Sequence, residues 1–324
     1  MKLDWVDKLS KVVEVKGGIS SGDVNTKVEV YPATYEEFAE VVKLCAEEKL
    51  KAYVHGFNAH HIGKKVFADV GISTSRLNKV IEISEEDLYV KVQAGASFKE
   101  LKEELKAHSL TVPFNYGGSV GGFASTNLPS VFTSLGYPKD WLLGAIVVTG
   151  LGEVVKSGST TTKFSSGYKI WKVLSGSLGW LGAYAELNVR LLPYFEYHFE
   201  EVKDHERAFK DRALGVIGVK VGGEVKKFAV KKGDGEKLEI PEVFDFSILT
   251  IRGKEFEEIE GVNADFCVAY YGLGIVRCLG GTPPKGKKLV KERGCEGDCF
   301  NANYTSLKLL KKSLDPEGVF FDVI

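Results

Sequence analysis

The sequence is poor in the side chains that fail first in heat. Among 324 residues there is one methionine, and Gln93 is the sole glutamine, while Lys and Glu abound. That is the habit of thermophilic proteins, so a hot habitat is expected; it bears on source, not on chemistry. Charge of one sign is lacking too: the net charge is -1 and no basic tract stands out. Nucleic acid is therefore excluded as an expected partner, because neutralising phosphates needs clustered Lys and Arg. No uncharged apolar run reaches the roughly 18 residues of a spanning helix. Met1-Lys2-Leu3-Asp4-Trp5 carries charges where a secretory signal needs an apolar core. A cytoplasmic protein with no integral membrane segment is expected.

Cysteine is scarce and unpaired in spacing. Cys45, Cys267, Cys278, Cys295 and Cys299 show no disulfide framework, and Cys295 and Cys299 form a lone CxxxC. A zinc or iron–sulfur site normally takes four ligands. Cys267 and Cys278 would complete the number but not the pattern. Buried thiols or one disulfide are expected, and no metal. His198 and His205, seven apart on a polar stretch, read as solvated side chains.

What is present suffices for a large core: 44% of residues are hydrophobic and 27% charged, which is globular and about two domains long. Val28 to Tyr31 reads as a strand. Thr34 with Glu37 has capping-box spacing for a helix over Tyr35 to Glu48, apolar on one face at Phe38, Val41, Val42 and Cys45. Strands follow at Lys51 to His55 and Val66 to Val70, then at Val80 to Ile83 and Tyr89 to Gln93. Ser97 with Glu100 caps a second helix reaching about His108. Ala145 to Thr149 and Glu153 to Lys156 form a hairpin, and Ala183 to Leu192 is a strand that stops at Pro193. Beyond it lie strands at Val216 to Val221, Val225 to Val230, Phe246 to Ile251, Phe266 to Tyr271 and Ile275 to Leu279. A last helix spans Ala302 to Leu314. Strands and helices without strict alternation predict an α+β protein. The division expected is a larger unit over 1–193 (halves about 1–83 and 84–193), a smaller cap over 194–300, and a helix and tail over 301–324.

Three glycine-rich segments lie between these elements: Val54 to Gly63, Gly117 to Asn127 and Ser175 to Gly182. Glycine permits positive φ and close backbone approach, so successive amides can face an anion. Two such loops closing on one diphosphate would neutralise it without a lysine. By contrast, Gly272-Leu273-Gly274 lacks the third glycine of the dinucleotide fingerprint and sits in a hairpin. Gly281 to Lys288 has lysines without P-loop order.

The order and spacing of the three segments resemble the vanillyl-alcohol-oxidase-like, or PCMH-type, FAD-binding domain. Val54 to Gly63 stands where that family has its pyrophosphate loop, and Gly71 to Val80 resembles its following D-L-S-R-L-N-x-V run. Val92-Gln93-Ala94-Gly95 is similar to its V-x-A-G strand, and Ser119 to Asn127 to its T-I-G-G-x-x-A-T-N loop. Gly136, Asp140 and Gly144 keep the family's spacing; Gly167-Tyr168 and Gly176 to Gly182 match G-Y-D and G-S-x-G-x-L-G. Leu314 to Phe320 resembles its L-D-P-x-G-I-F tail. The resemblance covers about residues 28–193 and the C-terminal helix. It implies FAD as cofactor, held by Gly56, Phe57, Asn58, Ala59, His60, Ser119, Val120, Gly121, Gly122, Ser125, Thr126, Asn127, Asp140, Gly182 and Ala183.

The chain departs from the family at Phe57 and Asn58, where Gly or Ala is usual, at Leu128-Pro129-Ser130, and at Lys169, which replaces Asp. Many members attach FAD to a histidine of the first loop; here that position is Ala59. His60 and His61 beside it read as lying on phosphate or solvent. The resemblance implies FAD-dependent oxidation of a small 2-hydroxy acid or alcohol, with hydride passing to flavin N5. Arg252 and Arg277 are candidates to hold a carboxylate, Tyr270 and Tyr271 to take a proton; the catalytic residues stay unassigned. The short cap and the tail are similar to the E-subunit family of glycolate oxidases. That implies an alternative: a non-catalytic or electron-relaying FAD-binding subunit beside a larger flavoprotein and an iron–sulfur subunit.

Overall fold

In the computed structural model, residues 4–161, 167–301 and 304–324 are described. The first sheet grows around a parallel core. Val24–Tyr31 runs parallel to Val66–Ser73, which runs parallel to Ala52–His55, and Glu14–Gly17 and Ser20–Ser21 add antiparallel edges. The helix Tyr35–Glu47 makes the crossover and buries Phe38, Val41, Val42 and Cys45, the face its spacing predicts. Its capping box forms with a one-residue shift: Thr34 Oγ1 accepts from Glu37 N, while the Glu37 carboxylate accepts from Ala33 N.

The second sheet is antiparallel, in the order Val154–Gly158, Leu142–Val148, Ala183–Arg190, Tyr89–Gln93, Val80–Ser84. Phe98–Ala107, capped by Ser97, packs on it through Phe98, Leu101 and Leu105. A short helix, Val120–Thr126, forms where the sequence shows a glycine loop; Val120, Phe123 and Ala124 face inward and hold it down.

The third sheet has seven antiparallel strands. The predicted strands form its centre: Glu224–Lys232, Gly215–Val221, Phe266–Tyr270, Ile275–Leu279 and Phe246–Leu249. Tyr197–Glu201 and Lys288–Lys291 add edges that the sequence analysis does not show, because half-solvated edge strands carry little apolar pattern. Cys267 and Cys278 stand opposite each other in the central ladder, 4.1 Å between Cα atoms, and form a disulfide. Cys295 and Cys299 form another, so two disulfides replace the single one expected, and Cys45 alone is a buried thiol. Among the described residues no cluster of His, Cys, Asp or Glu could hold a metal ion, and no helix is long and apolar enough to cross a membrane. His198 lies against the Gly233 carbonyl and His205 against Phe256 and Tyr271, so the two do not converge.

The last helix is described over Thr305–Leu314; the predicted start at Ala302 lies outside the described residues. The tail then returns to the first sheet, where Phe320 bridges Ala52 in parallel. Asp315, 2% exposed, makes this turn: its carboxylate accepts from Val319 N at 2.7 Å and Phe320 N at 2.9 Å and pairs with Lys311. The spacing of Asp315, Pro316 and Gly318 thus has a mechanical meaning, with Gly318 at φ +62°.

Candidate FAD site

The first glycine loop leaves the C-terminal end of Ala52–His55, and the second leads into Val120–Thr126. They meet at Gly56. A Cβ on Gly56 would lie 2.2 Å from Ser119 Oγ, so only glycine lets the turns touch. Gly121 is close as well, though less so: its amide donates to Ala94 O at 2.7 Å, and a Cβ would stand 2.9 Å from that of Ala94. The third segment docks on the same helix through Gly176 N to Ala124 O and Leu178 N to Ser125 O.

The cleft enclosed by the three segments is lined by Gly56, Phe57, Asn58, Ala59, His60, Ser119, Gly121, Gly122, Ser125, Thr126, Gly182 and Ala183. Asn58 takes φ +51°, which Asn tolerates, whereas Phe57 avoids that region and stands half exposed rather than plugging the space. Three residues of the expected set lie elsewhere. Val120 is in the core. Asn127 ends the short helix at φ +50° and accepts from Lys139 N. Asp140 turns back on Tyr137 N at 3.1 Å, because its short side chain caps its own 3-10 turn.

The amides divide unequally, against the expectation that both loops supply them. Val120 N donates to Ala96 O, Gly121 N to Ala94 O and Gly122 N to Ser119 Oγ at 3.1 Å. The second loop is therefore a wall that offers room. In the first loop, the amides of residues 57–63 find no acceptor among the described residues. Among the described residues no Lys or Arg lines this cleft. Small residues, unengaged amides and absent cations fit a neutralised diphosphate held by backbone dipoles.

Side chains beneath the loop fix it. His55 Nε2 meets the buried Glu29 carboxylate at 2.6 Å, and Thr26 donates to the same carboxylate. His61 Nε2 donates to Lys64 O at 2.8 Å while its Nδ1 accepts from Tyr53 at 3.1 Å. His60 does not lie in solvent. Its side chain is 4% exposed and stacks on Tyr116, centroids 4.5 Å apart. Burial lowers the pKa values of both His60 and His61.

A second cleft opens toward the third sheet, and His60 and Tyr116 line both. Arg277 and Tyr270 reach it. Arg252 is exposed on a turn, and Tyr271, next along the strand, faces the opposite side of the sheet. Arg277 is already engaged: Nε donates to Glu292 Oε1 at 2.9 Å, and its guanidinium lies over Phe244. Burial holds the Tyr270 phenol above its ordinary pKa, which leaves it protonated. Tyr116, Glu242 and Glu292 escape the sequence analysis, since they carry no motif; Tyr116, directly before Gly117-Gly118, has the only local signal.

Two glycine-bearing turns in contact, a parallel strand end beneath them and a third sheet facing the adjoining cleft define a nucleotide-cofactor fold of the PCMH type. Residues 26–158 match the family described as FAD binding domain, and the cofactor this match indicates is FAD. The chain is 28% identical over 289 residues to "D-lactate dehydrogenase" of Anaerostipes hadrus, covering 82% of this chain and 60% of that protein. It is 23% identical over 171 residues to "Glycolate oxidase subunit GlcD" of Bacillus subtilis, covering 51% of this chain and 36% of that one. Among solved structures, alkyldihydroxyacetonephosphate synthase shares the fold with a TM-score of 0.57 at 13% identity, over 72% of this chain and 56% of that one. The chain thus spans about 60% or less of these proteins.

Proposed function

We propose that this protein is an FAD-dependent oxidoreductase that oxidises a small 2-hydroxy acid or alcohol. FAD would rest on the unit formed by residues 1–193, with the cap over 194–300 and the tail from 301 returning to it. The observation that carries this reading is the continuity of the two clefts through His60 and Tyr116. A cofactor held by the first loop would present its reactive end where the cap adds a second set of side chains. When bound, FAD supplies a two-electron oxidant. The chain's own part is to orient it: Gly56 and Ser119 hold the walls together, the amides of 57–63 face the diphosphate, and Gly182 and Ala183 close the far side. Tyr116 shields the junction from water, and Arg277, held by Glu292, forms a fixed wall of the second cleft. The relatives named D-lactate dehydrogenase and glycolate oxidase support a 2-hydroxy acid.

A specific observation favours a second reading. One relative is named a glycolate oxidase subunit, and the cation of the second cleft is neutralised by Glu292. The chain would then be an FAD-binding subunit beside a larger flavoprotein and an iron–sulfur subunit. Two disulfides ordinarily mark an oxidising compartment; in a Lys- and Glu-rich chain they are compatible with a thermophilic cytoplasm, where such bridges persist. The experiment is anaerobic: purified protein is mixed with D-lactate, glycolate and a panel of small alcohols. Yellow protein that bleaches supports the enzyme, yellow protein that does not supports the subunit, and colourless protein that takes up no added FAD refutes both.

A further inference from the structure

Among the described residues His60 has no hydrogen-bond partner at either ring nitrogen, although its side chain is 4% exposed and both nitrogens are enclosed. Leaving a buried polar group unpaired costs about 1–3 kcal/mol. The neighbouring His61 avoids that cost through Tyr53 and Lys64. Stacking on Tyr116, with 26° between the rings, fixes the His60 ring plane. The Glu242 carboxylate stands 3.5 Å from Nε2, outside hydrogen-bond geometry, which points this nitrogen toward the second cleft. An orphaned, immobilised imidazole at the junction of two clefts is a group waiting for a third molecule.

Other titratable groups at the junction are less suited to accept a proton. Tyr116 and Tyr270 are phenols that burial keeps protonated. Arg277 is tied to Glu292, and Glu242 is half exposed and solvated. For His60, burial outweighs the attraction of Glu242 and Glu292, Arg277 adds to it, and the ring is neutral at pH 7.

We propose that His60 is the catalytic base of this site, its Nε2 taking the hydroxyl proton of an alcohol-bearing substrate seated in the second cleft. The inference rests on the oxidation reading above. The substrate's C–H bond breaks, and its hydrogen and electron pair pass to FAD, the oxidant. The O–H bond breaks, its proton forms a new N–H bond on Nε2, and its electron pair becomes the second C–O bond. The alcohol leaves as a ketone or aldehyde, FAD has gained two electrons, and the imidazolium faces Glu242, through which the proton reaches solvent.

The test uses the FAD-loaded protein and the variants H60N and H60Q, each checked for bound FAD and for an unchanged melting temperature. Flavin bleaching by the panel above should slow by about 10²- to 10⁴-fold in both variants, the usual worth of a positioned base. E242Q should shift the pH midpoint of bleaching downward, because it removes an anion that favours the imidazolium. Independently of activity, NMR of ¹⁵N-histidine-labelled oxidised protein should show, beside the lowered rings of His61 and His205, a further ring titrating below about 6.5 that is absent in H60N. Bleaching of H60N as fast as wild type, or a His60 ring protonated at pH 7, overturns the assignment. So does flavin that stays with the acid-precipitated chain and is lost in H60N, which would make His60 a covalent flavin ligand. Wild-type flavin that no member of the panel bleaches overturns the oxidation reading itself, and the base with it.

Discussion

Replacing Gly56 by alanine sets the two walls of the cleft against each other. The new methyl would lie 2.2 Å from Ser119 Oγ and 2.6 Å from Ser119 Cβ. Ser119 is not free to turn away, because its Oγ accepts from Gly122 N at 3.1 Å and caps the helix Val120–Thr126. If the serine rotates, that cap is lost at about 1 kcal/mol; if the loop shifts instead, overpacking costs about 1–3 kcal/mol. With tenfold in affinity for each 1.4 kcal/mol, FAD binding should weaken by about 5- to 150-fold. The assay is titration of apoprotein with FAD, followed by flavin fluorescence. G17A is the control, since nothing lies within 4 Å of that position. The double variant G56A/S119G should recover most of the loss: only the Ser119 Cα then remains near, at 3.8 Å, and glycine at an N-cap costs a few tenths of a kcal/mol. G56A protein that binds FAD within twofold of wild type, with an unchanged melting temperature, would refute the claim that these loops touch.

Other consequences are as direct. R277M strands the Glu292 carboxylate, 3% exposed, and should lower stability to denaturant by about 3–5 kcal/mol, whereas R277M/E292L should regain most of it; equal losses in both variants contradict the buried pair. D315A removes the acceptor of two amides and the partner of Lys311, and should free the tail from the first sheet at a cost of about 3 kcal/mol or more. Hydrogen exchange at Val319 and Phe320 reads that release, and unchanged protection there would contradict it. For pH, the unfolded chain binds a proton at His60 near its ordinary value while the folded ring resists it. The contribution to stability is therefore complete above about pH 6.5 and lost as pH falls through the lowered folded value. The difference between the wild-type and H60N stability curves should slope only in that window; a flat difference contradicts the burial argument.

Local rules were legible in the sequence. The caps at Thr34 and Ser97 and the apolar face of the first helix are fixed by neighbours within a turn or two, so they read directly from residue order. The Phe266–Tyr270 and Ile275–Leu279 hairpin depends on such neighbours as well. The glycines at 56, 121 and 122 announced close backbone approach, and the family resemblance gave them a cofactor. Two disulfides were not legible, because Cys267 meets Cys278 only once the strand register sets them opposite each other. Nor was the short helix Val120–Thr126, whose glycines disfavour it until Phe123 and Ala124 are buried.

The sequence by itself determined that glycine-rich turns lie at strand ends, in an order that FAD-binding chains share. Only the tertiary structure decided which amides those turns keep for themselves, that Asp140 and Asn127 turn away, and that Arg277 is spent on Glu292. Hydrogen-bond partners and desolvation belong to groups distant along the chain, and no local pattern encodes them. His60 shows the difference: as a letter it is one of two adjacent histidines, and in the fold it is the one with no hydrogen bond among the described residues.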